Sequence, residues 1–277
     1  MCTYRRYTVV QRSIQFYLDQ DYRGPTELVI YNTDVEHPMV LSKELSEQVS
    51  ASPNKIIRII NNNTDSVTGE PYNNIGAIRR DSVLQADGEW YICWDDDDIY
   101  LPWNIRQCVD GIYRHPDCWG WKPFRSMCWM PDPPDRLPEL AGNVMEASFI
   151  LNKSKVIEYG FKPHPGGGEH LEWEEKFRDN KKSIEDHYTI PGYCFNWYDQ
   201  GVMRGHKQSG DFGRVDNFEY HKQNTKDFAK EALNVYDREQ VEQLYNTHIN
   251  VITNLVGVET EYGYVVKQEL VEKYINN

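Results

Sequence analysis

The sequence lacks the features that mark several well-known protein classes. Its six cysteines are scattered and form no C-x-x-C pair, so neither a zinc site nor a disulfide framework is predicted. No apolar run reaches membrane-spanning length, and no secretory leader is visible. No internal repeat or low-complexity tract is present. These absences favour a globular protein of the reducing cytoplasm. Any association with a membrane would then be peripheral.

Positive charge is scarce as well. The chain carries 30 lysines and arginines against 43 aspartates and glutamates, for a formal net charge of −13. A protein that grips a nucleic-acid backbone usually presents a basic face, and no basic stripe is evident. Aromatic residues are abundant instead, with eight tryptophans and nineteen tyrosines. Part of that set must form core, and the remainder suits flat ligands such as nucleobases and sugar rings.

Strand and helix patterns alternate in the first half of the chain, as judged from apolar runs and amphipathic periodicity. The predicted strands are 26–32, 55–60 and 89–94, and the predicted helices are 7–20, 40–52, 75–88 and 101–115. Such alternation implies βαβ units and a parallel sheet. Ligands of these sheets bind beyond the carboxyl ends of the strands.

The second half changes character. A strand is predicted at 143–152, a polar helix at 169–180, and helix from about residue 216 to the end. Trp119, Trp121 and Trp129 fit either alternating core residues of a hairpin or a platform for an acceptor. We expect core for at least one of them.

Four consecutive aspartates, Asp95–Asp98, follow the third predicted strand. Hard divalent cations prefer carboxylate oxygens, and phosphate oxygens commonly complete their shells. The run therefore suggests Mn²⁺ or Mg²⁺ holding a nucleotide diphosphate, where the ion would neutralise charge on the leaving group. The alternative is a solvated acidic turn that caps the next helix. The position at a strand end favours the metal.

Several segments, in order, resemble the family 2 glycosyltransferases. The segment "CTYRR" (2–6) is similar to their opening "TYNR", and "QRSIQFYLDQDYRGPTELVIYNTD" to their first helix, turn and second strand. The segment "RRDSVLQADGEWYICWDDDDIYLP" is similar to the one that carries their D-x-D motif, with the spacing from Arg79 to Asp95 retained. The segment "MRGHKQS" (203–209) resembles their late R-x-H-x-x-S loop. The likeness covers roughly residues 1–210.

This resemblance implies the GT-A fold, a mixed and mainly parallel α/β sheet flanked by helices, here with a helical C-terminal tail. It also implies inverting transfer of a hexosyl or pentosyl unit from a nucleotide sugar, usually a UDP-sugar, with Mn²⁺ or Mg²⁺. Residues 1–106 would form the nucleotide-sugar-binding half of one domain and 107–215 its acceptor-binding half. Residues 216–277 would form a helical extension, a candidate surface for homo-oligomers.

The resemblance assigns site residues by motif position. Within the aspartate run, Asp95 would contact ribose or the metal through water, Asp97 would ligate the metal, and Asp98 would support the metal shell or the next helix. Asp96 occupies the variable position and is expected to matter least. His206 is a second candidate metal ligand. The residues assigned to nucleotide-sugar binding are Thr3, Tyr4, Arg6, Asn32, Asp34, Arg79, Asp95, Asp96, Arg204 and His206.

Three departures from the family pattern matter. The strand that usually precedes the opening motif is missing, so we expect a start further upstream or a rearranged sheet edge. Asn32 replaces a more usual aspartate. The family's catalytic "E-D-x-x-L" reads "EHLEW" (169–173), which puts His170 in the place of the base.

Inverting transfer needs a general base to take the acceptor proton, and Glu169, His170 and Glu172 are the candidates. We favour Glu169, with His170 second; Gly166–Gly168 before them suggest a loop that closes on substrate. The alternative is that both are ordinary first-turn helix residues.

Two other functions stay open at this point. One is nucleotidyl transfer on a related fold, and the other is a non-catalytic module that binds carbohydrate or a partner protein. For a transferase we expect a glycan acceptor, with a hydroxylated nucleobase in nucleic acid as an alternative.

Overall fold

A computed structural model describes residues 1–129, 139–143, 146–162, 170–186, 192–196, 256–260 and 263–266. The described helices are α1 (Tyr7–Leu18), α2 (Lys43–Ser50), α3 (Ile75–Gln85), α4 (Asn104–Arg114), α5 (Lys153–Tyr159) and α6 (Leu171–Asp179), with a 3₁₀ turn at Glu146–Ser148. The described strands are β1 (Cys2–Thr3), β2 (Thr26–Asn32), β3 (Lys55–Asn61), β4 (Trp90–Ile92), β5 (Ile99–Tyr100), β6 (Gly120–Pro123), β7 (Arg125–Trp129), β8 (Glu139–Gly142), β9 (Ile150–Asn152), β10 (Ser183–Asp186), β11 (Tyr193–Asn196), β12 (Val256–Thr260) and β13 (Gly263–Val266).

The N-terminal sheet is parallel throughout, in the order β1-β2-β3. Thr3 lies opposite Asn32, which in turn lies opposite Asn61, so three strands end at one edge. The last five residues of β2 are buried, as its apolar run predicts for a strand covered on both faces. This arrangement confirms the βαβ prediction for the strands at 26–32 and 55–60 and places polar residues together at the carboxyl edge. The strand predicted at 89–94 differs, because β4 belongs to another sheet, where it pairs antiparallel with β9.

Two further sheets mix parallel and antiparallel pairs, in the orders β10-β6-β9-β4 and β5-β11-β7-β8. The predicted mixed α/β class with flanking helices is confirmed, and the N-terminal sheet is its wholly parallel part. None of the helices that the structure describes is long and apolar enough to span a membrane.

The three tryptophans considered above differ in burial. Trp121 is fully buried under α4, as expected for at least one of the three. Trp119 is half-buried and packs edge-on against Phe177. The side chain of Trp129 lies outside the described residues.

Two segments differ from the prediction. Among the described residues of 143–152, which exclude 144 and 145, only Ile150–Asn152 is strand. Upstream of it, Asn143 donates to the Pro123 carbonyl oxygen and accepts from the Ser148 hydroxyl, and these bonds favour a turn over an extended chain.

The second difference lies in the predicted helical tail, where β12 and β13 form an antiparallel hairpin instead. Four of these nine residues are valines, which favour strands. The rest of 216–277 lies outside the described residues, and the division of the chain at 106 and 215 stays a prediction.

Candidate active site

The aspartate run lies between β4 and β5, beyond the carboxyl end of β4, which corresponds to the strand predicted at 89–94. The backbone N–H of Asp95 donates to the Tyr100 hydroxyl at 2.7 Å. The Tyr100 ring stacks on Trp94 at 3.7 Å, and the Trp94 indole donates to Ser13 on α1 at 2.8 Å. Core packing therefore fixes where the run begins, as expected for a site built at a strand end.

Arg6 neutralises the middle of the run. Its Nη1 lies 2.8 Å from Asp96 Oδ1 and 3.0 Å from Asp97 Oδ2. Arg6 and Asp96 are buried, with side chains only 6% and 4% exposed. Burial raises the pKa of the Asp96 carboxyl, and the Arg6 charge opposes that rise. Asp96, expected to matter least, is thus part of a buried ion pair; its role toward a nucleotide stays a prediction.

Arg79 binds the first aspartate. It lies on α3, whose N-terminus is capped by the Asn74 side chain. Arg79 Nη2 lies 3.0 Å from Asp95 Oδ1, and Nη1 contacts Glu146 Oε1. Glu146 belongs to the 3₁₀ turn and was not singled out from the sequence, where a lone glutamate before an apolar strand carries no motif.

His170 joins the same network. Its Nδ1 contacts Glu146 Oε2, and its Nε2 lies 3.8 Å from Glu174 Oε2. Of the three base candidates, His170 is therefore the one that the described contacts bring to the aspartate run. Glu172 pairs with Lys162 at 2.9 Å instead, and Glu169 lies outside the described residues.

Asp98 contacts a tyrosine of a neighbouring sheet. It is 1% exposed and accepts a hydrogen bond from the Tyr193 hydroxyl on β11. Burial raises the pKa of Tyr193, and the charge of Asp98 raises it further, so the phenol stays a donor. The described contact of Asp98 is thus structural, and it ties the run to a neighbouring sheet.

The predicted nucleoside residues gather at the ends of β1 and β2. Thr3 is buried opposite Asn32, and Tyr4 is half-buried. Asn32 donates to Asn61 Oδ1 at 2.8 Å and accepts from the Asp34 N–H at 3.1 Å. Asn32 is therefore held by the sheet edge, with both ends of its amide engaged.

Asp34 is held by Arg5 and His37. Its Oδ2 lies 3.0 Å from Arg5 Nε and 3.0 Å from His37 Nδ1. Burial opposes ionisation of Asp34, but these hydrogen bonds outweigh it and lower its pKa. Arg5 has a left-handed backbone, with φ at 53°, and the turn sends Arg5 to Asp34 while Arg6 goes to Asp96. Arg204 and His206 lie outside the described residues.

The carboxylates of the site fit a hard divalent cation. Asp95–Asp98 and Glu146 give five carboxylates, against the guanidinium groups of Arg6 and Arg79 and that of Arg12, which donates to the Asp97 carbonyl oxygen. Negative charge is therefore in excess, and oxygen donors suit Mn²⁺ and Mg²⁺. Cys93 Sγ lies within 4.8 Å of Asp95 and Glu146 oxygens, but burial raises its pKa to about 12, so its thiol is a poor ligand.

No family model and no curated protein matches this sequence. Solved structures do match. Residues 1–349 of TarS from S. aureus in complex with UDP-GlcNAc superpose with a TM-score of 0.50 at 14% identity, over 70% of this chain and 56% of that one. The chain has a glycosyltransferase fold.

Two further structures are similar at lower TM-scores. TarS 1–349 alone gives 0.49 at 14% identity, over 73% of this chain and 61% of that one. The mannosyltransferase PcManGT from Pyrobaculum calidifontis, in complex with GDP-Man and Mn²⁺, gives 0.48 at 12% identity, over 75% and 58%. The present chain thus matches about three fifths of the length of the chains in these three structures.

Proposed function

We propose that this chain is a metal-dependent family 2 glycosyltransferase that moves a hexosyl or pentosyl unit from a UDP-sugar to an acceptor hydroxyl with inversion. One observation carries the proposal: the D-x-D aspartates lie at a strand end of a glycosyltransferase fold, held by two buried arginines and joined to His170. A glycan is the proposed acceptor. The proposed location is the reducing cytoplasm, because the scattered cysteines suggest no disulfide framework.

The donor would lie along the carboxyl edge of the N-terminal sheet. Asp95 and Asp97 would offer oxygens to Mn²⁺ or Mg²⁺, and the ion, when bound, neutralises charge that develops on the diphosphate. The nucleoside would contact Thr3, Tyr4, Asn32 and Asp34. From the family resemblance, Arg204 and His206 would meet the diphosphate, with His206 as a further metal ligand.

The base would be His170. Transfer needs a group that accepts the proton of the attacking hydroxyl, and a neutral imidazole does this near pH 7. The described contacts support His170 because it reaches the aspartate run through Glu146. Glu169 directly precedes it and is the alternative base.

The decisive experiment tests binding and turnover in parallel. We expect a UDP-sugar with Mn²⁺ to raise the melting temperature, since a ligand that binds only the folded state stabilises it. We expect release of UDP that stops with EDTA. Asp97→Asn should lower turnover by at least about 100-fold with an unchanged melting temperature, while Asp110→Asn, an exposed aspartate on α4, serves as the matched control.

Three results would contradict the proposal in different ways. If Asp97→Asn turns over normally and still requires metal, the assignment of Asp97 as a metal ligand is wrong. Release of pyrophosphate instead of UDP would indicate nucleotidyl transfer. Binding of the nucleotide sugar without turnover of any donor would indicate a non-catalytic module.

A further inference from the structure

Glu146 occupies a bridging position between two site residues. Its Oε1 contacts Arg79, and its Oε2 contacts His170 Nδ1. Arg79 in turn reaches Asp95 at 3.0 Å. The chain Asp95–Arg79–Glu146–His170 thus joins the loop after β4, α3, the 3₁₀ turn and the start of α6.

This bridge is shielded from water. The side chains of Arg79, Glu146 and His170 are 10%, 14% and 16% exposed. Trp173, which is 1% exposed, packs against the His170 ring at 5.9 Å between ring centroids. Charged contacts in such surroundings are strong and directional, so the bridge constrains the orientation of the imidazole.

A second carboxylate faces the same imidazole. Glu174 Oε2 lies 3.8 Å from His170 Nε2, beyond hydrogen-bond distance. The other oxygen of Glu174 lies 3.5 Å from the buried Lys122, which also faces Glu185 at 3.3 Å. Of the two carboxylates near His170, Glu146 is therefore the one in direct contact with the ring.

We propose that Glu146 is the positioning residue of His170. A carboxylate in contact with Nδ1 favours the tautomer that carries the proton on Nδ1 and leaves the lone pair on Nε2. In the proposed transfer, on which this inference rests, Nε2 takes the acceptor hydroxyl proton. The hydroxyl oxygen bonds to the anomeric carbon, and the electron pair of the broken carbon–oxygen bond leaves with the diphosphate. Arg79 holds the other oxygen of Glu146 and so fixes its direction.

The first test reads the tautomer directly and needs no turnover. Long-range ¹⁵N–¹H spectra of the full chain, taken where the ring is neutral, should show His170 with Nδ1–H; His170→Gln identifies the signal. Glu146→Gln should shift the signal toward the Nε2–H form. Glu172→Gln, which removes the same charge from the first turn of α6, should leave the tautomer unchanged. A wild-type Nε2–H form, or identical spectra for wild type and Glu146→Gln, would overturn the proposal.

The second test asks whether Glu146 acts through His170. Glu146→Gln should lower kcat by roughly 10- to 100-fold, with a donor KM within about twofold of wild type. In a His170→Gln background the same change should have no further effect, because the two residues act as one unit. If the two substitutions lower kcat independently, so that their fold-changes multiply in the double variant, Glu146 has a general structural role and the positioning role is wrong.

A folding control and a functional control complete the design. Circular dichroism checks each variant, and Glu146→Asp, which keeps the carboxylate, should recover part of the lost kcat. Failure of Glu146→Asp to recover any activity while folded would count against positioning by a carboxylate. If the wild type turns over no nucleotide sugar, the proposed function fails, and the tautomer spectra still decide the Glu146–His170 contact.

Discussion

Adjacent aspartates repel each other, and in the structure arginine side chains offset that repulsion. Arg6 lies between Asp96 and Asp97, and Arg79 lies on Asp95. The charges of Asp96 and Asp97 raise the pKa of Arg6 against the opposing effect of burial. Arg6 therefore stays charged, and any metal at Asp97 must share or displace it.

The competition at Asp97 can be measured without changing the local net charge. The double variant Arg6→Gln with Asp96→Asn removes one positive and one negative charge. We expect it to bind Mn²⁺ alone more tightly than wild type, by about fivefold or more, because Asp97 loses its guanidinium partner. Titration of Mn²⁺ followed by electron paramagnetic resonance measures the affinity.

The single variant Asp96→Asn provides the matched control. In this variant Arg6 keeps its contact with Asp97, but the negative charge of Asp96 is gone. The affinity for Mn²⁺ should therefore fall below the wild-type value. Equal affinity in wild type and the double variant would show that Arg6 does not compete for Asp97.

Tyr193 stabilises the end of the aspartate run. Its hydroxyl donates to Asp98 Oδ2, and both residues are 1% exposed. Tyr193→Phe would remove this donor from a buried carboxylate, so we expect a loss of about 1–3 kcal/mol in the free energy of unfolding. Urea denaturation measures it, with Tyr113→Phe, a highly exposed tyrosine on α4, expected to be neutral. A Tyr193→Phe protein as stable as wild type would contradict this role.

At the scale of elements, α4 and β6 approach closely through a glycine. A Cβ on Gly111 would lie 2.2 Å from the Trp121 ring, which is fully buried on β6. Alanine improves helix propensity by about 1 kcal/mol, but this clash lies in rigid core and costs about 1–3 kcal/mol or more. We expect Gly111→Ala to lower the free energy of unfolding by about 1–2 kcal/mol net.

Thermal and urea denaturation of Gly111→Ala would measure that loss. Asp110→Ala, one residue away on the exposed face of α4, also raises the helix propensity but creates no clash. It should be neutral or slightly stabilising. A stabilised Gly111→Ala would show that the helix moves away from Trp121 without cost.

Local signals predicted the elements that local contacts determine. The strand at 26–32 matches β2 at both ends because a buried apolar run follows Pro25 and stops at polar residues. The strand at 143–152 was predicted too long because its pairing with β4 and β6 covers only three residues. Strand pairing is a tertiary property, and the apolar pattern of one segment does not encode it.

At the scale of the whole molecule, the site is assembled from distant parts of the chain. Asp95 and His170 carried motif signals and were named from sequence, and the contacts bring both into one network. Glu146 carried none, because it is 67 residues from Arg79 and only the fold brings them together. Motif spacing predicts where a strand-end site lies, while bridging residues from other elements emerge from packing.

The pH dependence of stability is also a property of the whole molecule, and Asp19 makes a defined contribution to it. Asp19 caps the C-terminus of α1, where burial raises its pKa to about 6, against the opposing effects of Gln15 and Lys55. A raised carboxyl pKa contributes stability that is complete below the unfolded value of 3.8 and is lost as the pH rises through about 6. Above that range a charge must be held in a poorly hydrated position, next to the negative end of the helix.

Replacing this carboxyl should therefore stabilise the protein at neutral pH and less so in acid. We expect Asp19→Asn, which keeps an acceptor for Gln15, to raise the free energy of unfolding by about 1–2 kcal/mol at pH 7.5. The gain should fall to roughly a third of that value at pH 4.5, because the folded carboxyl is then protonated. Urea denaturation across this range measures both values, with Asp110→Asn as the exposed control. An equal gain at both pH values would mean that the effect is one of packing, and that the Asp19 carboxyl does not link folding to proton binding.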